Sequence, residues 1–110
     1  MNGTRLTITG TQRPSVCVRV DASELGRVLR RLRRARRLSI EDLAHAADMH
    51  PTYLSGIERG ARNPTWGKLS DLALALGVPL SSLTREAERE ARVMRIARSV
   101  ERSLIERGDA

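Results

Sequence analysis

Apolar and polar positions along this 110-residue chain change period once. Up to residue 20 they alternate: Leu6 and Ile8 with Thr, then Val16, Val18 and Val20 with Cys17 and Arg19. Period two predicts two short strands around residues 10–14, as a hairpin or paired across a dimer. A lone hairpin is marginal in water and would need a surface to lie on. From residue 22 the apolar spacing is three and four. Leu25, Val28, Leu29 and Leu32 predict a first helix over 23–36, with Asp21 or Ser23 as cap and Glu24 at its positive end. Ile40, Leu43, Ala44 and Ala47 predict a second over 40–47, capped by Ser39. Asp48 breaks it, and Pro51 suits the first turn of a third helix over 51–59, with Leu54 and Ile57 facing one core. Gly60 can end that helix in a left-handed conformation, and Pro64 closes the stretch.

Two helices too short to stand alone, joined by a three- or four-residue turn, describe a helix-turn-helix. Beyond it, Thr65 caps a fourth helix whose Leu69, Leu72, Ala73 and Leu76 point inward, with Trp66 at its start read as shielding the core edge rather than lying near DNA. Gly77 ends it, and Val78-Pro79-Leu80 leads to a fifth with Ser81 or Ser82 near its cap. Residues 83–107 contain no Pro or Gly. Leu83, Ala87, Ala91, Met94, Ala97, Val100 and Leu104 make an apolar stripe there, flanked by Val93. The predicted organisation is an arm over 1–21, a helical domain over 22–83 and a helical extension over 84–110.

Composition narrows the partners. The formal net charge is +7, and of the 20 basic residues all but Lys68 are Arg. Arg forks pair with phosphates and guanine edges, so the balance favours nucleic acid. Phe is absent, with one Trp and one Tyr, so the core must be aliphatic and base-stacking RNA recognition is disfavoured. A single Cys, Cys17, excludes an internal disulfide and a cysteine-rich zinc site. His45 and His50 have no Cys nearby, so no metal is expected. There is no nucleophile–base–acid set and no phosphate loop, which argues against an enzyme and gives no cofactor. No signal-peptide core and no spanning apolar run are seen, so the expected setting is cytoplasmic, without a membrane partner.

The residues LGRVLRRLRRARRLS at 25–39, EDLAHAADMHPTYLSGIERGARNP at 41–64 and LALALGVPLSSL at 72–83 carry a resemblance to the Xre/Cro-like phage repressor family of helix-turn-helix DNA-binding domains. It spans over half of the chain. The resemblance implies an all-α, five-helix lambda-repressor-like domain whose third helix enters the DNA major groove. It also implies that Arg33 pairs with Glu58, locking the first helix to the third. Two positions depart from the family pattern. Ile40 stands where a backbone-holding Gln is common, and Asp48 where the turn is usually Gly, although Asp tolerates the left-handed conformation.

On this reading His50, Thr52, Ser55, Gly56 and Arg59 face the bases, and Pro51 packs. Arg36, Arg37, Ser39, Tyr53, Arg62, Asn63 and Lys68 are candidates for phosphate contact, although for Tyr53 the favoured reading is a half-buried place on the core with its hydroxyl at the backbone. Arg34 is a further candidate. The arm at 1–21 has two rival readings, disorder or a basic strand-like tail placing Arg5, Arg13 and Arg19 on DNA. The stripe from Leu83 to Leu104 needs a covering surface. A second copy is the first choice; folding back on the domain or binding a different protein are the others. The function implied is a sequence-specific transcriptional regulator, a repressor, binding double-stranded DNA as a homodimer on an inverted repeat. The alternative is a protein-interaction module or antitoxin-like subunit using the same fold.

Overall fold

The computed structural model describes residues 17–108. Five helices follow in order: α1 (Ala22–Ala35), α2 (Ile40–Ala46), α3 (Pro51–Glu58), α4 (Trp66–Leu76) and α5 (Leu80–Gly108). No strand occurs among the described residues, and residues 17–20 adopt no regular element. The remainder of the expected hairpin or arm lies outside the described residues.

The helix starts are set by their own side chains. The Asp21 carboxylate accepts from the Ser23 and Glu24 amides, each at 3.1 Å, while Glu24 Oε1 accepts from the Asp21 amide at 3.0 Å. The Ser23 hydroxyl, then the Glu24 amide, holds the Asp21 carboxyl below the usual carboxylate range. Ser39 with Asp42 makes the same reciprocal box on α2, and Thr65 caps α4. The ends of α1 to α4 also share one device. A left-handed residue (Arg37, Asp48, Gly60 or Gly77, φ between 56° and 79°) follows each helix. The next amide then returns to a carbonyl five residues back, from Leu38 to Arg33 and from Met49 to Ala44 among them. Asp48 adopts the left-handed turn foreseen for it. Arg37 does so too, at a cost of about 1 kcal/mol that the closed helix end must offset.

The core is aliphatic. Val28 and Leu29 of α1 meet Leu43, Ala44 and Ala47, Leu54 and Ile57, Leu69, Leu72, Ala73 and Leu76, and Leu83 of α5. Gly26 lets α1 cross the end of α3 closely. A Cβ there would lie 2.5 Å from the carbonyl oxygens of Ile57 and Glu58. Trp66 does not cover the core edge: it is 69% exposed, because it flanks the inward stripe of α4 at the helix's first residue.

The expected dimerisation stripe divides. α5 is one continuous helix across the predicted boundary at 83/84. Its Leu83, Ala87 and Ala91 are buried within the chain, and Glu86 and Glu90 reach arginines of α1. These three residues are therefore covered by the protein's own helices rather than held free for a second copy. Met94 is half-buried, whereas Ala97, Val100 and Leu104 are exposed.

Candidate nucleic-acid interface

The two short helices are locked before anything binds them. Arg33 Nε and Nη2 donate to the two oxygens of Glu58 at 2.8 and 2.9 Å, and Arg33 Nη1 donates to the Leu38 carbonyl at 2.9 Å. Both side chains are buried, with 10% and 4% exposure. The fork geometry suits Arg. The hydrogen bond to Glu58 outweighs burial and raises the Arg33 pKa further, so the charge is permanent. The pair ties α1 and the α1–α2 loop to the C-terminal end of α3. The turn between α2 and α3 is held by Lys68 of α4, whose ammonium donates to the Asp48 carbonyl at 2.7 Å and lies 3.7 Å from Asp71. Lys68 is thus occupied as a brace, a role that the reading as a phosphate ligand did not include.

With Leu54, Ile57 and Glu58 turned inward, α3 presents Thr52 and Arg59 to solvent, with Ser55 half-buried between them. His50 is exposed, but its ring caps α3: Nδ1 accepts from the Thr52 amide at 3.1 Å, which leaves the proton on Nε2. Gly56 is not an open position on the reading face. It is buried, and the stem of Arg62 lies across it, Cγ 3.1 Å from where a Cβ would stand. The Gly56 carbonyl accepts from the Ala61 and Arg62 amides at 2.8 and 3.2 Å, so the loop folds back over α3. Tyr53 is half-buried against the core, and the Arg62 guanidinium stands 5.9 Å over its ring. Thr52, Tyr53, Gly56, Arg59, Ala61, Arg62 and Asn63 together line one concavity. A second, on the other side of α3, is lined by Ile40, Glu41, Pro51, Thr52 and Ser55.

Around this face the cations sort into two groups. Arg36 and Arg37 at the end of α1, Arg59, and Arg62 are exposed and make no ion pair among the described residues. Ser39, also exposed, uses its amide and hydroxyl oxygen within the capping box, and its hydroxyl proton stays available. Asn63 is exposed in the loop. By contrast, Arg27 and Arg31 face α5, where Glu90 accepts from both, at 3.0 and 3.2 Å, and Glu86 lies 3.6 Å from Arg31. Arg98 reaches the buried Glu24 at 3.1 Å. Sequence reading did not find these acid partners. Their only trace was the four-residue spacing of Glu86 and Glu90, which puts both on one side of a helix.

A short recognition-type helix with hydroxyl and guanidinium groups outward, braced on three sides and bordered by unpaired arginines, defines a helix-turn-helix protein. The family model described as "Helix-turn-helix domain" matches residues 24–91, and the chain belongs to that family, consistent with its Xre/Cro-like resemblance. The HTH-type transcriptional regulator DdrOP3 of Deinococcus deserti is 40% identical over 60 residues, which are 54% of this chain and 46% of that protein. The transcriptional regulator ClgR of Mycobacterium tuberculosis is 38% identical over 76 residues, 68% of each. The chain therefore spans under half of the first relative and about two thirds of the second. Among solved structures, the clp gene regulator ClgR of Corynebacterium glutamicum superposes with TM-score 0.73 at 28% identity, covering 76% of this chain and 88% of that one. The restriction-modification controller protein C.Esp1396I, solved as a tetramer with its 35 base-pair operator, gives 0.60 at 30% identity, covering 64% and 92%. No helix among the described residues is long and apolar enough to cross a membrane.

Proposed function

We propose that this chain is a sequence-specific DNA-binding transcriptional regulator, a repressor that binds an inverted repeat as a homodimer. The observation that carries the reading is the face of α3. Thr52, Ser55 and Arg59 point outward from a helix fixed by the Arg33–Glu58 pair. Thr and Ser hydroxyls can meet base edges, and the Thr methyl can meet a thymine methyl. His50 offers its Nε2 proton at the start of the same helix. Arg36, Arg37, the Ser39 hydroxyl and Asn63 border that face where phosphates would run, and all four are exposed. Operator binding by C.Esp1396I and the regulator names of the other relatives support the assignment.

On this reading the second copy lies on the distal part of α5, a choice supported by the exposure of Ala97, Val100 and Leu104 beside Val93. A two-fold dimer sets half-sites about one helical turn, roughly 34 Å, apart or a multiple of it. Release of counterions makes the affinity fall steeply with salt.

The test is selection of bound duplexes from a random pool at near-physiological salt. An enriched inverted repeat is expected. In that assay, Thr52→Ala and Ser55→Ala change the preferred sequence more than the total affinity. Recovery of no motif overturns the reading and favours an interaction module whose partner lies on the exposed part of α5.

A further inference from the structure

The recognition helix has a gap at its middle, and another segment fills it. Gly56 sits inside α3, where a helix ordinarily carries a side chain and where Gly is less favourable than Ala. Its vacant side is occupied by the Arg62 stem, with Cγ, Cδ and Cβ at 3.1, 3.5 and 3.8 Å from the position of a Cβ. The return of the loop is fixed by the left-handed Gly60 and by the two amides bonded to the Gly56 carbonyl. The apolar stem of Arg62 thereby covers backbone that Gly leaves bare. Its guanidinium comes to rest over the Tyr53 ring, with no hydrogen bond or carboxylate partner among the described residues. The guanidinium carbon stands 5.9 Å from the ring centroid, within cation–π range. The N–H donors in its plane stay free, beside Thr52 and Arg59 in the same concavity.

We propose that Arg62 reads a guanine in the major groove, delivered to the recognition helix from the loop that follows it. Gly56 and Tyr53 are its positioning residues, one vacating the place for its stem and the other seating its guanidinium. A planar fork whose stem is seated on Gly56 and whose donors are unpaired is suited to a bidentate contact with guanine O6 and N7, which a point charge cannot reproduce. This rests on the DNA-binding reading above, and it changes the role of Arg62 from a phosphate contact to a base contact.

Three variants of the full chain test it: Arg62→Lys, Gly56→Ala and the two combined. Each is put through the same duplex selection, with thermal unfolding alongside. In the wild type, one position of each half-site should be guanine. Arg62→Lys keeps the charge and loses the fork, and should relax that one position about tenfold while leaving the others in place. Gly56→Ala should relax the same position with an unchanged or raised Tm, because Ala favours the helix while its methyl crowds the Arg62 stem. In the double variant the two changes should not add. A second readout needs no DNA: the Tyr53 ring should shift the Arg62 side-chain protons upfield by NMR, and Gly56→Ala should abolish the shift. A wild-type motif that Arg62→Lys leaves unchanged at every position overturns the guanine contact alone. Unshifted Arg62 protons in the wild type, or a Gly56→Ala protein identical to wild type in both readouts, overturns the positioning. A wild type that selects no motif overturns the DNA-binding reading and this inference with it, whatever the NMR shows.

Discussion

The two parts of α5 have similar helix propensity and different surroundings. Over 80–91, Leu83, Ala87 and Ala91 are at most 4% exposed, and Glu86 and Glu90 pair with Arg27 and Arg31 of α1. Over 92–108, Val93, Ile96, Val100, Leu104 and Ile105 are all more than half exposed. The Arg98–Glu24 pair marks the crossover. It lies at the first turn of α1, so beyond it α5 has run past the helix that covers it. The apolar positions also change face. At 3.6 residues per turn, the side of Val93, Val100 and Leu104 stands about a third of a turn round from that of Leu83, Ala87 and Ala91. Periodicity alone reads these as one drifting stripe. The fold separates a seam inside the chain from a surface free for something else.

The largest expected effect breaks this comparison at its buried end. Leu83 belongs to the core cluster and is fully buried, so Leu83→Ala should cost about 2–5 kcal/mol through lost burial and a residual cavity. Leu104→Ala, the same chemistry at an exposed site, should change monomer stability by less than about 0.5 kcal/mol. Denaturant unfolding of both variants gives the two numbers directly. Equal costs would mean that the distal part is covered by the chain itself.

A smaller effect tests the seam's polar edge. Burial alone would raise the Glu90 pKa, but the hydrogen bonds and charges of Arg27 and Arg31 outweigh it, and the carboxyl is held below its ordinary 4.5. A depressed carboxylate stabilises the fold above its unfolded pKa, and that contribution is lost as pH falls through the folded value. Arg27 and Arg31 are 41% and 53% exposed, so solvent screens the pairs, and Glu90→Gln should cost only about 1 kcal/mol near neutral pH. The wild-type advantage in Tm should shrink with added salt and vanish in acid, where the two proteins converge. A constant difference from neutral pH to acid would show that Glu90 acts through packing.

What could be read from the sequence was local. The capping residues Asp21, Ser39 and Thr65, the Asp48 turn and the inward Leu and Ile positions each depend on neighbours within four residues, and together they specify the helix-turn-helix. What could not be read depends on segments far apart. Gly26 matters because α3's last carbonyls come within 2.5 Å of its missing Cβ, and the only trace in the sequence is a Gly inside a helical stretch. Gly56 sits at an outward phase of α3 and is nevertheless buried, because Arg62 arrives over it from the next loop. Trp66, expected at the core edge, stands at the first residue of α4 beside its apolar side and remains exposed. The lock between Arg33 and Glu58 was expected from family resemblance alone, since no spacing rule links residues 25 apart.

The smallest effect on folding decides what the distal part of α5 is for. Val100→Glu and Leu104→Glu place charge on exposed positions, so each should alter the stability of the isolated chain by no more than about 0.5 kcal/mol. If a second copy covers this face, the same substitutions bury unpaired carboxylates in the interface, and sedimentation should shift from dimer to monomer at concentrations where the wild type is paired. Binding to an inverted repeat should weaken in step, because each half-site is then held without its neighbour's help. A variant that stays dimeric would move the two-fold contact elsewhere, with the exposed Trp66 and Leu74 of α4 the next surface to substitute. A monomeric wild type would leave this face to a different protein. Stability measured at two protein concentrations separates the cases, since only a dimer unfolds at a temperature that depends on concentration.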